Sequence, residues 1–177
     1  MRKVSAYVAA CCLGIALIAA ACGAQDKSKR PSPPATASVD LGGTKITIDY
    51  SSPRLKGRHV GGEVATFGKV WRLGANEATT LVTTGPITVG GKAVPAGSYT
   101  MFAIPDKDKW TLIISKKTGE WGTDYPGEGN DLARVELKVS TLPASVENFT
   151  ISFDKTGMGA NLNFDWDTTR ASVAVGK

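Results

Sequence analysis

Cysteine is almost absent from this 177-residue chain, and its three occurrences, Cys11, Cys12 and Cys22, all fall near the N-terminus. From Gly23 to Lys177 there is no thiol, which removes a disulfide framework, a thiolate zinc site and a cysteine nucleophile from that part of the protein. Histidine is scarcer still: His59 is the single one. A two-histidine metal site is thereby excluded, and a Ser-His-Asp triad would have to use His59 without any Gly-x-Ser-x-Gly elbow to present the serine. No catalytic set, metal or cofactor is therefore assigned. After Thr36 the chain lacks an apolar stripe at helical spacing long enough to specify a helix. It also lacks strong charge. Of the formal +5, Arg2 and Lys3 belong to the first few residues and Gly23 to Pro34 contributes a net +2, so the remainder is nearly neutral. A near-neutral domain argues against nucleic acid as a partner.

What is present begins with a targeting pattern. Met1 to Lys3 form a short cationic start, and Val4 to Ala21 are apolar and mostly small, the composition of a secretory signal over residues 1–21. A stop-transfer helix is the alternative, because the apolar run is nearly long enough to span a bilayer. Leu17-Ile18-Ala19-Ala20-Ala21-Cys22-Gly23 resembles a bacterial lipoprotein box, which implies lipidation of Cys22 and a membrane partner through that anchor. Gly23 in place of aspartate implies an outer-membrane destination facing the periplasm. Ordinary cleavage after Ala21 or Ala24 would instead release a soluble periplasmic or secreted protein. Residues 22–35 then read as the lipidated cysteine and a disordered, proline-rich tether. Residues 36–177 are left for a single domain, enough for one sizeable core.

Within that domain, short β-type runs alternate with glycine, proline and aspartate. Lys45-Ile46-Thr47-Ile48-Asp49-Tyr50 alternates apolar and polar, and Tyr99 to Ile104, Trp110 to Ile114, Ala133 to Val139, Phe149 to Phe153, Ala160 to Trp166 and Arg170 to Val175 also read as strands. Val89-Gly90-Gly91-Lys92 fits a two-residue hairpin turn, and Pro95-Ala96-Gly97 a second turn. The expected fold is all-β, an antiparallel β-sandwich of about eight or nine strands, with an open β-barrel as the alternative.

The densest chemistry lies between Phe67 and Thr80. Gly68 and Gly74 bracket a run with strand character, and Arg72 and Glu77 flank a glycine turn, so an internal Arg72–Glu77 ion pair is the economical structural reading. The functional reading makes this stretch, with the basic loop before it, a ligand-facing surface: Arg54, Arg58, Lys69, Trp71, Arg72, Asn76 and Glu77. Residues 45–72 hold six cations against Asp49 and Glu63, while 106–131 hold six carboxylates against four lysines. The two stretches could face charged partners or each other. Asp165 and Asp167 flank Trp166 as two calcium ligands might, or as a solvated strand edge. Tyr50, Trp71, Trp110, Trp121 and Trp166 suit either a core or a sugar-stacking surface.

Ser52-Pro53-Arg54 with Gly57-Arg58, Gly68-Lys69-Val70-Trp71-Arg72 with Gly74-Ala75-Asn76-Glu77-Ala78-Thr79, Pro95-Ala96-Gly97-Ser98-Tyr99 and Trp121-Gly122 together resemble the bacterial domain-of-unknown-function family numbered 2911. The resemblance spans Thr36 to Val175. Where the family pattern has Pro-Tyr before the glycine, this chain has Thr66-Phe67. The resemblance implies an exported protein, often a lipoprotein, with no established activity. Two functions from different classes are compatible with these residues. One is a non-catalytic binding or accessory module of the cell envelope, recognising a small polar ligand, a glycan or an envelope protein. The alternative is an envelope glycan-directed hydrolase with Glu77 as acid or base.

Overall fold

The computed structural model describes residues 27–177. The expected signal over 1–21 and the expected lipidation at Cys22 lie outside those residues.

The fold is all-β, as the alternating runs require. Strand β1 (Pro34–Leu41) and strand β2 (Thr44–Ser51) form a hairpin across Gly42-Gly43, whose φ values of 59° and 87° only glycine adopts readily. Strand β3 (Thr79–Thr83) follows the long central loop, and β4 (Ile87–Val89) and β5 (Lys92–Val94) close across Gly90-Gly91, where φ is 53° and 77°. Both central residues at positive φ match the hairpin turn read from the sequence. Then come β6 (Gly97–Ile104), β7 (Lys109–Ser115), β8 (Asp131–Thr156) and β9 (Gly159–Gly176). A single 3-10 turn at Glu128–Asn130 is the one helical element among the described residues.

All pairings between strands are antiparallel, and the nine strands among the described residues join into one sheet in the order β1-β2-β3-β6-β7-β8-β9-β4-β5. The sheet curls over its own core. Strands β2 and β8 are not neighbours in that order, yet the Ile151 N–H donates to the Tyr50 hydroxyl at 3.1 Å and the Phe149 N–H donates to the Pro53 carbonyl at 2.9 Å. Curling lets a single sheet enclose an apolar interior as two packed layers would.

Strand patterns show why. On β2 the residues Thr44, Ile46, Ile48 and Tyr50 point inward, whereas Lys45 and Asp49 are exposed, so the period-2 alternation maps onto one buried face. The runs on β6 and β7 are continuously apolar because both faces are covered. Met101, Ala103, Leu112 and Ile114 join the main core, while Phe102 and Ile113 form a second small cluster with Ala78, packed by Val70, Ile104 and Tyr125. Val70, Ala78 and Tyr125 therefore cover the outer face of the sheet's centre, while Trp71 and Leu73 between them join the main core.

The four separate strands expected between Ala133 and Val175 are halves of two long ones. Pairing between β8 and β9 is interrupted between Thr141 and Thr150, and Asp167 sits at φ 54° on the other side. These irregularities bend the hairpin, which explains why the sequence shows breaks there. The strands β1 and β3 were not legible in the same way. Short threonine- and alanine-rich runs carry little apolar alternation.

The strand expected between Gly68 and Gly74 does not form. Trp71 alone bridges to β6, through reciprocal backbone bonds with Ala103 of 2.7 Å each. Positive φ at Gly68 (71°), Leu73 (51°) and Asn76 (58°) turns the chain too often for a ladder to extend.

Candidate functional site

The central loop is held in an unusual conformation by several bonds at once. Leu73 is fully buried and stands at φ 51°, a strained backbone for a γ-branched residue. Its carbonyl accepts from Thr79 Oγ1 at 2.6 Å, the Thr79 N–H donates to the Arg72 carbonyl at 3.3 Å, and Trp71 Nε1 donates to the Gly74 carbonyl at 3.1 Å. Trp71 itself stacks on Trp166 with ring centroids 5.5 Å apart and meets Phe149 and Trp110 edge-on. The indole thus nails the loop to the core.

Beside it lies a cavity of ≈ 300 Å³, bordered by Arg58, Glu63, Trp71, Arg72 and Trp166, with Ser32 of the N-terminal segment at its rim. Three of the seven candidate residues, Arg58, Trp71 and Arg72, meet here. Arg72 is half-buried, burial lowers its pKa, and its Nε has no hydrogen-bond partner. Arg58 is exposed; its Nε and Nη2 donate to the Leu55 and Arg54 carbonyls at 2.9 Å each. It braces the basic loop as well as bordering the cavity. Arg54 donates to the Ser52 carbonyl at 3.1 Å and bridges to Asn148. Lys69 is exposed on a turn whose backbone bond runs to the Thr66 carbonyl. Arg54 and Lys69 border neither this cavity nor the one beside Glu77.

The expected Arg72–Glu77 pair is corrected by the structure. Glu77 instead receives Lys27 Nζ at 2.8 Å and Arg30 Nη1 at 3.0 Å on each carboxylate oxygen. Arg72 is in no ion pair among the described residues. With Leu73 and Asn76 at positive φ between them, the two residues border different cavities: Arg72 the one beside Trp71, and Glu77 a second one that it shares with Lys27, Asp49 and Tyr50. Asn76 Nδ2 donates to the Ser32 carbonyl at 3.1 Å. Residues 27–33, expected as part of the tether, therefore lie along the site, and Pro34 already opens β1. Lys27, Arg30 and Ser32 were missed by sequence reasoning. The signal that could have found them is the solitary carboxylate Glu77 among cations.

Hydrogen bonding from Lys27 above all, then from its own backbone N–H and from Arg30, pushes the Glu77 carboxyl down to about 2 against a smaller opposing effect of burial. A depressed carboxylate contributes stability above its unfolded pKa near 4.5 that is lost as pH falls toward 2. With the Glu77 side chain 37% exposed, screening limits this to about 1 kcal/mol. Glu77→Gln is accordingly expected to lower the melting temperature by about 2–4 °C at pH 7 and by a small fraction of that at pH 2, where the folded carboxyl is about half protonated. Thermal melts across that range check it, and a pH-independent difference would refute it. Because Arg72 shares no partner with Glu77, Arg72→Met should shift stability equally in either background, within about 0.5 kcal/mol.

The remaining candidates resolve into structural pairs. Asp165 is buried and grips Arg170 bidentately at 2.7 and 2.6 Å. Asp167 accepts from Ser145 at 3.1 Å and faces His59 Nδ1 at 3.1 Å; burial raises its pKa, but these bonds outweigh that and lower it. The two carboxylates flanking Trp166 thus serve different partners and do not converge on one cation. The charge-biased stretches 45–72 and 106–131 form no ion pair with each other among the described residues. Tyr50, Trp110 and Trp166 are core, whereas Trp121 is 58% exposed.

No curated protein and no solved structure matches this chain. A family model does, over residues 32–175: a protein family of unknown function, DUF2911. That span takes in the central loop, both cavities' strands and Ser32, and stops short of Lys27 and Arg30. The chain that builds this loop and these cavities belongs to the DUF2911 family.

Proposed function

We propose that this protein is a non-catalytic binding module of the cell envelope, exported, anchored through a lipid on Cys22, and presenting the cavity beside Trp71 to a small ligand rich in carboxylate or hydroxyl oxygens. The observation that carries the reading is the convergence of Arg58, Trp71 and Arg72 on one cavity, with a half-buried guanidinium whose Nε lacks a partner. Desolvated cations favour oxygen-rich partners, and an indole wall offers apolar contact to a sugar ring or similar body. The strained loop is held before any ligand arrives, so little ordering would oppose binding. Export and anchoring are supported by the apolar run before Cys22 and its lipoprotein-like box.

One observation favours hydrolysis instead: Asp49 and Glu77 border a common cavity of ≈ 150 Å³. The charge state of Glu77 weighs against it. A general acid for glycoside cleavage needs a raised pKa, and two cations hold Glu77 at about 2.

The test is a thermal-shift screen of the full-length protein against acidic and neutral sugars. A ligand at about a hundred times its Kd adds about 2.7 kcal/mol, or roughly 5–10 °C. Arg72→Met should abolish the shift and Glu77→Gln should retain it. No shift with any oxygen-rich ligand, or a shift that survives Arg72→Met, would reject the reading. In the same preparations Cys22→Ser should leave the membrane fraction, and incorporation of labelled fatty acid into that variant would reject the anchor.

A further inference from the structure

Glu77 offers a second, differently charged surface. It opposes Trp121 in an antiparallel bridge, so the carboxylate and the exposed indole share a face. Asn76, next to it, presents its side-chain amide to a backbone carbonyl, that of Ser32. Asp49 borders the same cavity as Glu77 and adds negative charge to it. Lying on this surface is a basic segment of the chain itself, with an ammonium and a guanidinium on one carboxylate and a main-chain oxygen on the amide.

We propose that Glu77, Asn76 and Trp121 form a receptor for alkylammonium and guanidinium groups, and that residues 27–32 are its built-in occupant. The carboxylate supplies charge-assisted hydrogen bonds through both oxygens. The neighbouring indole suits a cation, because its face carries the negative part of the ring quadrupole. The amide donates to an incoming main-chain carbonyl and so favours an extended peptide over an isolated ion. Glu77 remains ionised throughout the neutral range, as its depressed pKa requires. Residues 27–32 then compete with any external cation, and because Ser32 also borders the Trp71 cavity, displacing the segment would open the rim of that cavity too. This extends the binding-module reading to a second site. Its test reads Glu77 with cations, whereas the test of that reading reads Arg72 with oxygen-rich ligands, so either can fail alone.

The experiment vacates the surface in the full-length protein with Lys27→Ser and Arg30→Ser and titrates two probes by calorimetry: the peptide Lys-Ser-Lys-Arg-Pro-Ser-Pro, copied from residues 27–33, and spermidine. An intramolecular competitor acts at an effective concentration in the millimolar range, so the peptide should bind the vacated protein at least about tenfold more tightly than wild type. Adding Glu77→Gln should remove that binding, and adding Trp121→Leu should weaken it several-fold, with the melting transition retained in each. Tighter binding of the peptide than of spermidine identifies a basic protein segment as the external ligand; spermidine binding as tightly or more tightly would overturn the part given to the Asn76 amide. Equal affinity of wild type and vacated protein for both probes, or binding unchanged by Glu77→Gln, would overturn the proposal.

Discussion

Trp71→Ala is expected to destabilise the protein by about 3–5 kcal/mol, the range for removing a large aromatic, because this partly buried ring packs against three others. The ring stacks on Trp166 at an interplanar angle of 14° and contacts Phe149 at 4.9 Å and Trp110 at 6.0 Å between centroids. Its removal leaves a hole between three aromatic rings that the strands cannot close, because β6 is already paired on both sides. The Gly74 carbonyl also loses the indole donor that fixes the turn. For a chain of this size the melting temperature should fall by roughly 10 °C or more. Trp71→Phe keeps most of the packing and forfeits the hydrogen bond, so it should lose only about 1–2 kcal/mol. Denaturant unfolding of the two variants checks the ordering. A loss below about 1 kcal/mol for the alanine variant would mean that the loop is not pinned through this ring.

Gly74→Ala is the second large effect, and it works through the backbone. A Cβ at this position would stand 2.8 Å from the Ser51 carbonyl oxygen and 3.2 Å from Thr79 Oγ1, and φ is 159°. The carbonyl is the end of β2 and cannot rotate away as a flexible side chain could. The loop must lift instead, which breaks the bond from the Ala75 N–H to that same oxygen and loosens the Trp71 anchor. Overpacking of this kind costs about 2–4 kcal/mol. Gly129→Ala is the matched control, since nothing lies within 4 Å of the added methyl, and it should stay within about 0.5 kcal/mol of wild type. Equal stability of the Gly74 and Gly129 variants in chemical denaturation would show that the close approach is not rigid.

How far the amino-acid order reaches is visible in particular residues. The alternation of Lys45 to Tyr50 became the buried and exposed faces of β2, and Gly90-Gly91 became the turn between β4 and β5. The continuous apolar runs at Tyr99 to Ile104 and Trp110 to Ile114 became strands covered on both faces. Membership of the family was equally legible, because the Trp-Arg to Asn-Glu segment is local in sequence. The site was legible only in part. Arg58, Trp71 and Arg72 do meet, but Glu77 turned away from its neighbour in sequence toward cations forty-seven and fifty residues distant.

The sequence by itself determined that the protein is all-β, that no thiol chemistry operates after Cys22, and which loop concentrates the polar groups. Those properties follow from composition and from side-chain period, which report the environment of each residue one backbone step at a time. Only the tertiary structure decided which charges face one another. The partner of Glu77 depends on the left-handed turns at Leu73 and Asn76 and on where the chain before β1 lies against the curled sheet. Such contacts between distant segments are set by the packing of the whole core, and no local pattern around either partner encodes them.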